Sequence, residues 1–458
     1  MNLRTRIWLV GAIGWIVVMT GAAFPAVGRA NDEASQFVPL FNGHDLTGWH
    51  PINVGPETFT VRDGIIVCTG IPTGLLRTEK QYENFILEME WRHMQPAGNA
   101  GLFVWGDALP AVGSPFARGI EVQILDNGYD AKGKNEWYTT HGDVFPVWGA
   151  TMTPAGRICN NGRRSFPTED RVKDSPEWNH YRVEARDGEL RLSVNGKEVT
   201  VGKDCVPRKG YLCLESEGSE VHFRNIKIIE LPSTNPSTEQ TAIEAEGFVP
   251  LYTGVDLTNW RADPGHQGHW QPRDWRLVYD GQSQASDKNL WTEQEFEDFV
   301  LICDWRWTRD PELKPLPVIL PSGEQALDEQ GQPKTELTPD AGDSGIYLRG
   351  SSKSQVNIWC WPVGSGEVYG YRTDRSLPAE VRAAVTPSTN ADAPIGRWNR
   401  FVITLQGDRL TVVLNDQTVI DDARLPGIPQ RGPLALQHHG DPIEFANILI
   451  KPLDTAAD

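Results

Sequence analysis

A thirteen-residue stretch at Phe37–Trp49, FVPLFNGHDLTGW, returns at Phe248–Trp260 as FVPLYTGVDLTNW, with nine positions identical. Repeats of roughly 20–50 residues build solenoids and propellers, but the step from residue 37 to residue 248 is as long as a whole domain. The landmarks that follow recur in the same order. FILEMEWR (85–92) answers to FVLICDWR (299–306), GNAGLFV (98–104) to GDSGIYL (342–348), and EVQI (121–124) to QVNI (355–358). EWNHYRVEA (177–185) answers to RWNRFVITL (397–405), and Leu212–Ile228 to Leu434–Ile450. The chain reads as one fold used twice, over 36–231 and 248–454, with a polar linker at 232–247.

Within each copy the apolar period is two. FILEMEWR alternates as a half-buried strand does. In TFTVRDGIIVCT (58–69) the Asp63-Gly64 pair sits between two β-rich runs, a hairpin signal, and Asp187-Gly188 and Asn195-Gly196 mark further turns. Many short strands with almost no amphipathic helix imply an all-β antiparallel sandwich or jelly roll, whose concave face can carry a groove. Two segments stand apart. Asp126–Pro176 reads as a long irregular loop, and such loops inside a compact domain are usually functional. An insertion over 310–341 carries six prolines and has no counterpart in the first copy; it reads as neither regular sheet nor helix, but as a rim loop or lid.

With 458 residues and a net charge of −18, the chain would repel a phosphate polyanion, so nucleic acid and anionic membranes are poor partners. Its 17 tryptophans exceed the 15 phenylalanines and 10 tyrosines, a surplus that suits sugar-stacking surfaces as well as plain core packing. Arg4 and Arg6 precede an apolar run from Ile7 that ends near Gly28-Arg29-Ala30. This is the pattern of a secretory signal peptide over residues 1–30, and predicts a secreted or periplasmic protein with no stable membrane insertion after cleavage. The six cysteines show no CxxC or Cys/His metal spacing, leaving buried thiols or bridges open.

The run of motifs FVPLFNGHDLTGW, FILEMEWR, GNAGLFVW, GIEVQILDN, EWNHYRVEA, SVNGKEV and LESEGSEVHFRNIKI resembles the 3-keto-disaccharide hydrolase family. The resemblance extends over both copies and implies two tandem concanavalin A-like jelly-roll (β-sandwich) domains. It also implies cleavage of a glycoside whose sugar is already oxidised at C3. A C3 ketone acidifies the proton on C2 and places the glycosidic oxygen β to the carbonyl. Proton abstraction, elimination of the aglycone and rehydration then amount to hydrolysis. Such a site needs a base, a group stabilising the enolate oxygen, and an acid for the leaving group, but not the paired carboxylates of ordinary glycosidases. The alternative is a non-catalytic, lectin-like carbohydrate-binding protein.

In Glu121-Val122-Gln123-Ile124 the alternation puts Glu121 and Gln123 on one face and the apolar pair on the other. Glu121 is the candidate base, with Gln123 and Asp126 as substrate ligands. Gln355 and Asn357 take the places of Glu121 and Gln123 in the second copy, losing charge but keeping hydrogen bonding. The first copy therefore reads as the more conventional active site, the second as a divergent catalytic or binding copy. Asn99 answers to Asp343, and Trp105 to Arg349, as substrate-binding candidates; Asn99 and Asp343 could equally shape glycine-flanked turns. Glu217 and His439 are equivalent acid/base candidates before the last strand, at a place where the resemblance implies an ionisable residue. His141 in the long segment is another. Trp148, Tyr369 and Tyr371 are candidate platforms. There is no HxH, HExxH or EF-hand pattern; no cofactor is demanded, and Glu121, Asp126 and His141 are the set that could hold a divalent metal ion. Asp45 and Asp256 of the repeated motif read as local caps. The expected partner is a glycan or an oxidised glycoside.

Overall fold

The repeated opening motif makes the same local bonds in both copies. The Asp45 carboxylate accepts from the Thr47 N–H at 2.9 Å, and Asp256 from the Thr258 N–H at 2.8 Å. Trp49 and Trp260 donate their indole N–H to the Leu40 and Leu251 carbonyls, each at 3.0 Å. Each motif thus closes a turn and seats one tryptophan in its copy's core. The structure, a computed structural model, describes residues 36–130, 135–245 and 247–453; the signal-peptide expectation lies outside them. Among the described residues no helix is long and apolar enough to cross a membrane.

The described chain is nearly all β, in two tandem jelly-roll sandwiches. In the first copy one sheet runs through Thr151–Ala155, Lys197–Val206, Glu189–Val194, Asn179–Arg186, Phe85–His93, Val221–Glu230, Ile65–Cys68 and Phe59–Arg62. The facing sheet runs through Arg157–Ile158, Ser165–Phe166, Val144–Val147, Gly119–Leu125, Asn99–Gly106, Tyr211–Ser216, Gly74–Thr78 and Trp49–Ile52. Alternation explains what lies between them. Leu87, Met89 and Trp91 from one sheet meet Ala100, Leu102, Val122, Ile124 and Leu214 from the other in one buried cluster. The Asp63-Gly64 turn has φ of 53° and 73°, the left-handed pair that a two-residue hairpin needs.

The second copy repeats the plan, with Trp270–Arg273, Arg276–Tyr279, Ile443–Pro452, Phe299–Trp307, Asn399–Gln406, Arg409–Leu414 and Gln417–Arg424 in one sheet. Its other sheet is shorter: Leu290–Phe296, Gly432–Leu436, Asp343–Leu348 and Ser351–Trp359.

Two expectations are corrected. The 126–176 segment is not irregular: Val144–Val147, Thr151–Ala155, Arg157–Ile158 and Ser165–Phe166 are strands that widen both sheets. The proline-rich insertion is regular too, with Glu312–Pro317 and Thr335–Asp340 pairing as an antiparallel ribbon. Pro315, Pro317 and Pro339 all fall in the alternate register pairs Leu313↔Pro339, Pro315↔Leu337 and Pro317↔Thr335. Residues of that single phase can turn their nitrogens out of the ladder, so the missing N–H groups cost no pairing.

The linker is tied down along the first copy. Its Ser233 and Thr234 bond the Glu83 carboxylate, and the Ala242 and Ile243 N–H groups reach Lys209 and Asp107. The six cysteines are unpaired, five of them buried.

The described residues of the two copies, from Pro39 on, pack within one compact unit. Asp304, fully buried in the second copy, binds Arg400 through both oxygens (2.6 and 2.8 Å) and accepts the Gly113 N–H of the first copy at 2.9 Å. Arg400 in turn donates to the Pro110 carbonyl at 2.8 Å, and Asn447 to the Ser114 carbonyl at 3.1 Å. Gly113 lies so close to Trp398 that a Cβ would sit 2.1 Å from the indole.

Candidate functional site

Three neighbouring strands of the first copy build the site. In Gly119–Leu125, Val122 and Ile124 enter the core, which turns Glu121 and Gln123 to the opposite face. The adjacent strand brings Phe103 opposite Glu121 and Gly101 opposite Gln123. On its far side Tyr211–Ser216 turns Leu212 and Leu214 inward and so Glu215 outward. Glu217 follows two residues later. A cavity of about 710 Å³ opens over this face, lined by Glu121, Glu215, Glu217, Gln123 and Asn99, by Arg163 and Arg164, and by the aromatic rings of Tyr129, Trp137, Tyr138 and Trp148.

Glu121 and Glu215 reach over the same glycine: a Cβ on Gly101 would stand 3.0 Å from Glu121 Oε1 and 2.8 Å from Glu215 Oε2. Both carboxyls are buried, and among the described residues Glu215 Oε2 has no hydrogen-bond partner. Burial, reinforced by Glu217 and Asp143 and opposed by Arg164, pushes Glu121 up to about 8. Glu215 is raised well above the ordinary carboxylate range by burial and by the charges of Glu121 and Glu217. Burial lifts Glu217 to about 7, against a hydrogen bond from Glu215 that favours its ionised form. Three neighbouring carboxyls, two of them buried, hold fewer than three charges near neutral pH, because each ionisation penalises the next.

The surrounding polar groups form a chain. Arg164 lies over the Phe145 ring at 3.5 Å and donates to Asp143 at 3.2 Å and to Gln123 Oε1 at 3.1 Å. Gln123 donates to Asn99 Oδ1 at 3.1 Å, and Asn99 donates to Glu217. This relay holds the Glu217 carboxylate in place and fixes the amide orientations.

The second copy keeps the frame and changes the charges. A smaller cavity, about 350 Å³, is lined by Asp343, Gln355, Asn357, Trp359, Trp361, Tyr369, Gln437 and His439. Gln355 and Gln437 stand where the first copy has Glu121 and Glu215, and Gln355 donates to Gln437 Oε1 at 2.5 Å. The Asn99–Glu217 pair becomes Asp343–His439, with Nε2 and Oδ2 4.0 Å apart. Burial and the nearby Asp441 and Asp340 raise Asp343 to about 6, with His439 pulling the other way.

Several sequence-derived candidates lie elsewhere. Asp126 does not face the cavity: its oxygens accept the backbone N–H groups of Ala97 (2.9 Å), Gly128 (2.8 Å) and Ser175 (2.8 Å). Burial works against that charge, but the backbone donors outweigh it and hold the carboxyl below its ordinary value. His141 pairs with Asp170 at 3.0 Å and is outside the cavity lining. The set Glu121, Asp126 and His141 therefore does not converge; among the described residues no three His, Cys, Asp or Glu side chains are arranged to hold a metal ion. Trp105 is fully buried in the core and donates to the Glu83 carbonyl at 2.8 Å. Arg349 is equally buried, bonded to Asp298 (2.7 Å) and to the Glu297 and Gly407 carbonyls (2.6 and 2.7 Å). These two were expected as substrate-binding residues at equivalent strand ends; left-handed φ angles of 58° and 49° take them off the strand alternation, and their side chains are buried. Tyr371 is core as well, whereas Tyr369 lines the second cavity. Trp148 is half exposed at the rim of the first.

Glu215, Arg163, Arg164 and, in the second copy, Trp361 and Gln437 were not singled out from sequence. A signal for Glu215 existed: Glu215-Ser216-Glu217 alternates on a strand end, and its first residue answers to Gln437 just as Glu121 answers to Gln355. The arginines carried none, since only the folded segment returns them to the sheet.

Among solved structures, a predicted glycosyl hydrolase from Parabacteroides distasonis matches at 25% identity, covering 44% of this chain and 97% of its own, with a TM-score of 0.35. The carbohydrate binding module CBM66 from Bacillus subtilis matches at 13% identity over 40% of this chain and 96% of its own, with a TM-score of 0.29. No curated protein sequence matches the chain. The family described as the 3-keto-alpha-glucoside-1,2-lyase-like domain matches twice, over residues 36–229 and 247–451, and the chain belongs to that family.

Proposed function

We propose that the first copy cleaves a glycoside oxidised at C3 by removing the C2 proton. The observation that carries this reading is the buried apposition of Glu121 and Glu215 over Gly101, beside Glu217. An ionised member of the Glu121–Glu215 pair takes the C2 proton, and the C–H electrons form the enolate C2=C3–O⁻. The positive side of the cavity, Arg163 and Arg164, favours that developing charge. The enolate re-forms the ketone, C1=C2 forms, and the C1–O bond breaks. Glu217, poised near neutrality, protonates the departing oxygen. Release at this point is a 1,2-elimination. Addition of water, its proton passing to Glu217 while the carboxyl pair returns a proton to C2, completes hydrolysis. Tyr138, Trp137 and Trp148 offer faces for the sugar ring.

In the second cavity the amides Gln355, Asn357 and Gln437 suit hydroxyl groups, and Asp343–His439 is the titratable pair. We propose that this copy binds carbohydrate, with little or no elimination. Export of the protein accords with the N-terminal sequence pattern.

The test supplies the purified protein with a 3-keto-glucoside and with its unoxidised parent. Release from the keto substrate alone is expected, and Glu121→Gln should lower kcat by about 10²–10⁴-fold. Release from the parent alone, or unchanged turnover in Glu121→Gln, would overturn the reading.

A further inference from the structure

We infer that the second copy receives glycosides with an aryl aglycone, which it seats in a tryptophan-lined pocket under the proline-rich hairpin. This rests on the carbohydrate reading of the adjoining cavity. The pocket measures about 430 Å³ and has Trp305, Trp307, Trp359 and Trp361 on its walls, together with Thr338 and Pro339 of the hairpin and Ala393. A volume of that size holds a small organic group.

Four observations point to the occupant. Trp359 and Trp361 line both this pocket and the polar cavity of Gln355, Asn357, Gln437 and His439, so a sugar in one leaves its substituent beside the other. The two indoles stack in parallel, centroids 4.0 Å apart and 4° between planes, a fixed aromatic pair whose outer faces suit a flat guest. Three of the four tryptophans are specific to this copy: the first has His93, Leu125 and Asn127 at the places of Trp307, Trp359 and Trp361, and it lacks the hairpin altogether. Finally, the hairpin's own apolar side chains do not plug the space; Leu313 and Leu337 are each 69% exposed on the ribbon.

The experiment measures calorimetric binding of methyl, hexyl and phenyl β-glucosides, and of their 3-keto forms, to the full chain carrying Glu121→Gln. Phenyl glucosides should bind about tenfold tighter than methyl glucosides, an aromatic-contact increment. Ala393→Phe and Thr338→Phe, which fill the pocket from two of its lining residues, should each abolish that increment and leave the methyl glucoside affinity unchanged. Equal affinities, hexyl binding as tight as phenyl, or a preference that survives both fillings would overturn the inference. Methyl glucosides also separate the two claims. If neither form binds, the carbohydrate reading of the cavity falls and takes this inference with it. If they bind and phenyl adds nothing, only the aglycone inference falls.

Discussion

Glu121 and Glu215 are held together by a glycine on one side and by burial on the other, and both features make testable demands. A carboxyl that binds its proton more tightly when folded stabilises the fold fully below its unfolded value of 4.5 and loses that contribution as pH rises through about 7 to 8. Stability should therefore fall between pH 5 and pH 9. Glu215→Gln places an amide where the second copy already carries Gln437. It should flatten that fall and raise stability at pH 8 by on the order of 2 kcal/mol. Thermal melts at pH 5 and pH 8 read this directly, and an unchanged slope would contradict it. Gly101→Ala is predicted to separate the pair, since its Cβ would meet both carboxyl oxygens. The chain should fold and kcat should drop; turnover at the wild-type rate would show that the apposition is dispensable.

At the scale of elements, one carboxylate organises the segment that walls the first cavity. Asp126 gathers the N–H groups of Ala97, Gly128 and Ser175 at the point where strand Gly119–Leu125 ends. Asp126→Ala leaves three donors unpaired and should cost about 2–4 kcal/mol at pH 7. The sign with pH is opposite to that of Glu121. The Asp126 carboxyl is held below its ordinary 3.8, so its contribution is present above that value and is lost as the pH falls through the folded one. The gap between variant and parent should close in acid. A gap independent of pH would mean that the side chain acts by packing rather than charge. The proline ribbon illustrates a different point, that proline excludes a strand only where its nitrogen must donate, and here the phase spares it.

Across the whole molecule the copies are joined by a buried charge pair. Asp304 and Arg400 satisfy each other and, through Gly113 and Pro110, hold a first-copy loop against the second copy's sheet. Asp304→Ala would strand a buried guanidinium and should cost about 3–5 kcal/mol. If the pair couples the copies, the loss should also split one unfolding transition into two in calorimetry. A single transition at the parental temperature would refute the coupling.

The duplication, the strand alternation and the charge differences between copies were all readable in the residues. These are local or periodic signals: period two sets which face Glu121, Gln123, Gln355 and Asn357 occupy, and comparison of the copies shows which positions lost their charge. Trp105 and Arg349 broke that rule because a left-handed backbone angle, invisible in composition, turns each into the interior. Asp126 and His141 were drawn away by backbone donors and by Asp170, contacts set by chain segments distant in sequence. Only the tertiary structure brought Glu215, Arg163 and Arg164 to Glu121, and placed the hairpin beside four tryptophans. A linear sequence carries the period of a strand, whereas the identity of its neighbours, and the burial that shifts a proton, exist only once the sheets have closed.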